Sequence, residues 1–260
     1  MASILENIDR HIRRSFSEAA AEYDLLTSLH KEIARELMAK IQFKEPQAIL
    51  DVGMGTGYLT GKLAHYFPGA QVTGLDFAPG MIEQAKKDSE GFTIVQADAA
   101  ELPFEDETFD LIVSNLAYQW IADLPRAFGE AHRVLKNDRF LYFTIFGQET
   151  LKELFVCLKN ISGVKQFNVR RLASGDQIKA ALNENGFERV DIKFEHIKVH
   201  FASVTDLLKW LKAIGANRLG EDIPVGKEWL SRLETEYAKM FSDRFGIFAT
   251  FEVIWAEARK

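Results

Sequence analysis

The chain is poor in cysteine. Cys157 is the only one in 260 residues, so no internal disulfide can form and a core must hold the fold. No uninterrupted apolar run approaches the length needed to cross a bilayer, which argues against an integral membrane protein. The first residues carry no signal-peptide pattern, and with the lone cysteine this predicts a cytoplasmic protein. Positive charge is not in excess: the formal net charge is −6, which argues against a general nucleic-acid binder while leaving room for local basic patches. Internal repeats, low-complexity tracts and a clear interdomain linker are also missing. What remains is 47% hydrophobic, enough to bury a core of one large domain with additions.

The pattern from Ile4 to about Lys40 is helical. Leu5, Ile8 and Ile12 share one face, Leu26, Leu29, Ile33 and Leu37 a second, and the two runs predict two helices joined near Tyr23. After Pro46 strand and helix signals alternate, the order that builds an open, mostly parallel sheet. Strands are predicted at 48–52, 71–75, 92–96, 109–115 and 139–146, with helices at 57–66, 80–88 and 124–135. Later come a helix at 174–185, a strand at 190–199 and a final strand over 248–256. Between these last strands, helices at 204–213 and 227–241 flank a Gly215–Gly220 segment and look like an inserted cap. The domain expectation is a helical lid over 1–44 and a Rossmann-like α/β domain over 45–260, doubly wound on seven strands, with the cap at about 202–243.

The organising stretch is Ala48-Ile49-Leu50-Asp51-Val52-Gly53-Met54-Gly55-Thr56-Gly57, an apolar strand running into a glycine turn and a helix. Gly53, Gly55 and Gly57 permit positive φ and leave no Cβ between a ligand and the backbone, while the helix near Tyr58 offers free amides. In a doubly wound sheet ligands sit beyond the carboxyl ends of the strands. Asp51, Asp76, Asp98 and Asn115 end or follow the first four strands, a spacing that suits successive contacts to one extended ligand. Asp76 can accept two ribose hydroxyls, Asp98 an adenine amino group, and Asp51 puts negative charge near a cationic amino-acid moiety. That combination favours S-adenosylmethionine over a dinucleotide, whose full GxGxxG fingerprint is absent. Taken singly, the same residues also fit helix caps, turns and tight strand-helix packing.

With Leu50–Gly57, Asp76 followed by Met81, Asp98-Ala99-Ala100-Glu101-Leu102-Pro103-Phe104 and Phe109–Asn115, the chain resembles the class I S-adenosylmethionine-dependent methyltransferases over about 45–147. The resemblance implies that Gly53, Gly55 and Gly57 form the loop on the methionine side, that Asp76 accepts the ribose, and that Asp98 and Ala99 contact adenine. Two positions depart from the family pattern: Met54 stands where cysteine is common, and Lys136-Asn137-Asp138-Arg139 replaces a lysine-proline-glycine-glycine turn. Outside the core, Phe16–Asp24, Ser114–Trp120, Phe143–Gly147 with Thr150–Leu154, and Leu211–Asn217 together are similar to the malonyl-acyl-carrier-protein O-methyltransferases of biotin synthesis. This narrower resemblance implies methylation of the malonyl carboxylate on an acyl carrier protein, with S-adenosylhomocysteine as the other product and no metal.

Beyond the cofactor residues, Tyr23 is expected to bind cofactor or orient the acceptor carboxylate, or else to serve as an aromatic anchor. Gln119 is expected to border the methyl group. Trp120 suits either that border or loop packing. A cation to hold the acceptor carboxylate is sought among Arg218, His132, Arg133 and Lys152. A carrier protein is acidic, so Arg10, Arg13 and Arg14, and Lys209, Lys212 and Arg218, are candidate docking groups, with a plain solvated face as the alternative. A monomer or weak oligomer is expected. A methyltransferase for a free small acid or another small acceptor, and a cofactor-binding protein without transfer activity, are the competing readings.

Overall fold

The computed structural model describes residues 2–43, 45–162, 172–214 and 226–260, with side chains throughout except at 2–9, 11 and 162. Its first helix, α1 (Ala2–Leu26), does not break at Tyr23 as the sequence suggested. The reason is periodicity: Ile12, Phe16, Ala20 and Tyr23 carry one apolar stripe past that point, and nothing there opposes a helix. The break falls at Thr27, whose hydroxyl donates to the Tyr23 carbonyl, and α2 (Ser28–Lys40) follows.

The alternating part builds β1 (Ala48–Val52), α3 (Tyr58–Tyr66), β2 (Gln71–Asp76), α4 (Pro79–Ala85), β3 (Phe92–Gln96), β4 (Phe109–Asn115), α5 (Leu124–Val134) and β5 (Leu135–Phe146). Then come α6 (Lys152–Ser162), α7 (Gly175–Glu184), β6 (Glu188–Phe201), α8 (Val204–Ala213), α9 (Lys227–Met240), β7 (Ser242–Asp243) and β8 (Gly246–Arg259). The expected helix over 80–88 splits into α4 and a 3₁₀ turn at Lys86–Asp88. Helix α6 was not anticipated, although Leu154, Cys157 and Leu158 have helical spacing and all three are buried.

Seven strands run in the order β3-β2-β1-β4-β5-β8-β6, and the two-residue β7 adds an eighth beside β8. The pairs among β1 to β5 are parallel, and β8 enters antiparallel between β5 and β6. Strand alternation sorts side chains into two cores. Ile49, Leu111, Val113 and Tyr142 face α2, α3, α6, α8 and α9, while Leu50, Ile112, Leu141 and Phe143 face α5 and α7. The two helices of the late insertion are bedded in the first of these cores through Leu207, Leu211, Leu233 and Tyr237.

Strand β5 begins four residues before the expected 139, because Lys136–Arg139 forms no turn. Those residues make an irregularity inside the strand, with Asp138 at φ 60°. Lys136 and Arg139 then reach Asp110 at 3.2 and 3.5 Å, and the same carboxylate accepts the Gln47 and Ala48 amides that lead into β1. Among the described residues no helix is long and apolar enough to cross a membrane.

Candidate active site

A cavity of about 360 Å³ opens at the carboxyl ends of β1, β2 and β4, within the range of small-molecule sites. Gly53, Gly55 and Gly57 hold φ of 74°, 57° and 89°, a region costly for any residue with a Cβ. Their surroundings differ. A Cβ on Gly53 would overlap that of Ala117, whereas one on Gly55 would meet nothing within 4 Å and would project into open space. Gly57 lies away from the cavity wall as the N-cap of α3, and a Cβ there would touch the Phe92 ring.

Asp76, at the end of β2, ties this loop down. One carboxylate oxygen accepts the Gly55 amide at 2.9 Å and the other the Ala78 amide at 2.8 Å, and with the Phe77 amide also on this carboxylate some acceptor capacity is still left for a ligand. Burial raises its pKa, opposed by the Ala78, Gly55 and Phe77 amides. Asp51 is held apart from the cavity wall: it is 1% exposed and accepts the Thr60 hydroxyl at 2.7 Å. Burial pushes its pKa up to about 7, with Thr60 opposing and the Asp76 charge adding to the rise.

Met81, Asp98, Ala99 and Asn115 all line the cavity. Asp98 also makes a turn, accepting the Ala100 amide. Asn115 is a strut as well: its Oδ1 accepts the Thr144 hydroxyl, and its Nδ2 donates to the His30 carbonyl of α2 at 3.1 Å.

Helix α1 roofs the cavity with Phe16 and Tyr23. The roof is fastened at both ends of this span. The Gly80 amide donates to the Ser17 hydroxyl, and a Cβ on Gly80 would overlap the Ser17 backbone, so only glycine admits this approach. Further along, the Thr56 hydroxyl of the glycine loop donates to Asp24 at 2.8 Å. Burial, then the charges of Asp76 and Asp24, raise the Tyr23 pKa, so its hydroxyl stays protonated at neutral pH.

The structure does not bring Gln119 to the cavity wall. It is buried in the 3₁₀ turn Tyr118–Trp120, where its Nε2 donates to the Leu116 carbonyl. Trp120 does line the cavity, packed edge-on against Phe16 with centroids 5.1 Å apart. Three of the proposed acceptor-binding cations are engaged elsewhere: His132 against the Phe187 ring, Arg133 with Glu130 and Asp106, and Lys152 with Glu149. Arg218 lies outside the described residues.

Sequence reasoning missed Arg126, a cation in the cavity wall whose guanidinium is 3.8 Å from Glu101. Its own amide donates to the Asp123 side chain that caps α5, and Asp-Leu-Pro at a helix start was the available signal. Among the docking groups, Arg10, Arg13 and Arg14 are exposed, with Arg14 paired to Glu18 at 2.7 Å. Lys209 and Lys212 are exposed on α8, with Lys209 near Asp206. Helix α8 meets the far end of α1, where the Trp210 indole donates to the Leu26 carbonyl. The arginines start sixteen residues earlier, about 24 Å along a helix axis, so the two basic groups form separate patches.

A glycine loop held by a strand-end acid at the carboxyl ends of a parallel sheet is the arrangement of the class I methyltransferases, and residues 50–143 match the family described as "Methyltransferase domain". The similarity extends well beyond that core. The chain is 34% identical, over 96% of its own length and 98% of the relative's, to a malonyl-[acyl-carrier protein] O-methyltransferase of Geobacter sulfurreducens. It is 33% identical, over 96% and 94%, to one from Methylococcus capsulatus. The chain therefore belongs to the malonyl-[acyl-carrier protein] O-methyltransferase family. Solved structures agree on the fold: the YcgJ protein of Bacillus subtilis superposes with a TM-score of 0.63 at 18% identity, covering 89% of this chain and 99% of that one. Haemonchus contortus phosphoethanolamine N-methyltransferase 2 in complex with S-adenosyl-L-methionine matches with a TM-score of 0.56 at 21% identity, covering 87% of this chain and 52% of that one.

Proposed function

We propose that this enzyme transfers the methyl group of S-adenosylmethionine to the free carboxylate of a malonyl group on an acyl carrier protein, giving the methyl ester used in biotin (pimelate) synthesis. The single observation that carries the reading is end-to-end likeness to enzymes of that name, which takes in the roof and the late insertion as well as the common core.

The cavity residues suit the cofactor. Gly55 leaves room at the backbone, Asp76 keeps acceptor capacity for a ribose hydroxyl, and Asp98 and Ala99 in the wall suit an adenine. The cofactor supplies an electrophilic methyl group on a sulfonium. The rest falls to the protein: to hold the acceptor in line and to keep water out, positioning that contributes on the order of 7–11 kcal/mol. A carboxylate with a pKa of roughly 4 is already ionised at neutral pH, so the reaction asks for no base. Residues 1–44 act as the lid of this site, with Tyr23 presenting a protonated hydroxyl from the roof.

The carrier protein docks on the α8 side, against Lys209 and Lys212, because α8 meets the α1–α2 junction a few residues beyond Tyr23 of the cavity roof. Arg10, Arg13 and Arg14 are a second patch further along α1.

The test is mass spectrometry of purified protein with S-adenosylmethionine and malonyl-acyl carrier protein, with malonyl-coenzyme A and free malonate in parallel. A 14-Da gain on the carrier-bound malonyl group, in clear preference to the other two, is the expected result. Equal methylation of free malonate points to a small-acid enzyme, and cofactor binding without transfer points to a non-catalytic role.

A further inference from the structure

One buried polar group near the site has no assigned task. His30, in the first turn of α2, sits one residue behind the cavity wall and touches two wall residues: Asn115 donates to its carbonyl, and the Tyr23 ring lies 6.0 Å away, centroid to centroid. Phe146, at 5.9 Å, and Trp210, at 6.4 Å, complete an aromatic enclosure around the imidazole. Within it the ring nitrogen Nδ1 is shielded from solvent and has no hydrogen-bond partner among the described residues. The Trp210 indole nitrogen of this enclosure is committed to the Leu26 carbonyl.

Shielded polar atoms are nearly always paired, and leaving one unpaired costs folding energy. A ligand atom that reaches it recovers that cost. The enclosure stands at the α1–α2 junction, behind the wall residues Tyr23 and Asn115 and towards β5, whereas Asp98 follows β3 at the other end of the parallel strands.

We propose that His30 is the residue that selects a carboxylate acceptor, its ring N–H holding one oxygen of the malonyl carboxylate against Tyr23, Phe146 and Trp210. The inference rests on the malonyl-carrier reading above and names the recognising group within it. Burial lowers the pKa of the imidazole to about 4, so at neutral pH it carries one N–H and no charge. A neutral donor grips an ionised carboxylate about twice as strongly as an uncharged acceptor. The same group therefore favours substrate over acetyl groups, which lack the carboxylate, and releases the uncharged methyl ester.

The experiment measures dissociation constants of malonyl- and acetyl-acyl carrier protein for the wild-type chain, His30→Phe and His30→Asn. S-adenosylmethionine affinity is measured by calorimetry, and methyl transfer by mass spectrometry, on the same samples. His30→Phe keeps an aromatic ring and removes the donor. It is expected to weaken malonyl-carrier binding about 10- to 100-fold and leave acetyl-carrier and S-adenosylmethionine affinities within about twofold. His30→Asn places an amide N–H where Nδ1 stood and is expected to retain most of the malonyl preference, which a packing role would not do.

An unchanged malonyl preference in His30→Phe overturns the inference, and so does an equal loss for both carriers or a loss of cofactor affinity. Should that variant misfold by circular dichroism, His30→Leu, which also lacks a donor, replaces it with the same expectation. If the wild-type chain methylates malonyl-carrier while His30→Phe keeps its preference, only the role of His30 fails. If the wild type neither prefers nor methylates malonyl-carrier, the functional reading fails and the role of His30 falls with it.

Discussion

The two halves of the cavity are built from different materials. The cofactor half is backbone and carboxylate: a glycine loop, the Asp76 carboxylate bridging two amides, and the ends of parallel strands whose register leaves little freedom. The other half is helix and aromatic ring: Tyr23 in the roof meets His30, Phe146 and Trp210 behind the wall, brought together from α1, α2, β5 and α8. On the reading proposed above, the first half recognises a molecule common to many reactions and can be nearly rigid, while the second decides which reaction occurs and is assembled by side chains that can change while the sheet stays the same.

If the halves are separable, their variants separate too. The largest effect is expected from Asp76→Ala, which removes charge-assisted bonds to Gly55 and Ala78 together with the ribose acceptor. Bonds of this kind contribute about 1.5–3 kcal/mol each, so cofactor affinity is expected to drop about 100-fold. Titration calorimetry with S-adenosylmethionine and with malonyl-carrier checks this; an equal loss of carrier affinity would break the distinction.

Next come the two loop glycines. Gly53→Ala and Gly55→Ala share the left-handed backbone cost of about 1–2 kcal/mol, but the first also drives a methyl into Ala117 while the second fills space meant for a ligand. Thermal melts should show the larger stability loss in Gly53→Ala. Cofactor titration on the folded fraction should show Gly55→Ala about tenfold weakened.

A comparison with pH distinguishes the halves by sign. His30 has its pKa lowered from 6.5 to about 4 in the folded chain, so the unfolded chain binds its proton more readily. Its contribution to stability is complete above pH 6.5 and is lost as pH falls towards 4. Asp51, raised from 3.8 to about 7, behaves in the opposite way: the folded chain holds the proton, and the contribution is lost as pH rises from about 4 to 7. Urea unfolding across that window should show His30→Phe losing the acid-side decline, and Asp51→Asn gaining stability relative to wild type as pH rises.

The smallest effect belongs to the surface. Reversing Lys209 and Lys212 to glutamate is expected to raise KM for malonyl-carrier about three- to tenfold in low salt, with less effect in high salt and none on cofactor affinity. Reversal of Arg10 and Arg13 should do less, and a stronger effect there would move the docking site along α1.

The same contrast explains what could be read from the amino-acid sequence. The strand-end positions of Asp51, Asp76, Asp98 and Asn115 were legible because strand alternation and turn chemistry are local, although Asp51 turned out to face Thr60 and not the cavity. The helix break was misplaced from Thr27 to Tyr23 because it depends on one hydroxyl reaching back to a carbonyl. The bulge in β5 was invisible because Lys136 and Arg139 read as an ordinary polar turn until Asp110 is beside them. Helix α6 had its signal in Leu154, Cys157 and Leu158, and only its neighbours in the core make that signal decisive. The aromatic enclosure could not be read at all, since His30 and its Asn115 partner are 85 residues apart and meet only when α2 packs across the sheet.

Strand β6 ends the sheet's hydrogen-bonded order, with β8 as its neighbour on one side, and it is 14 residues long. An edge of that length is a template on which another chain could lay a strand, the first step towards a polymer. Its sequence works against that event: Glu188, Arg189, Asp191, Lys193, Glu195, His196, Lys198 and His200 place charge or a titratable ring along the strand on both faces. An incoming strand would have to strip water from these groups before forming its ladder. The open edge is thereby kept soluble at no cost to the cavity, which lies at the far side of the sheet among β1, β2 and β4.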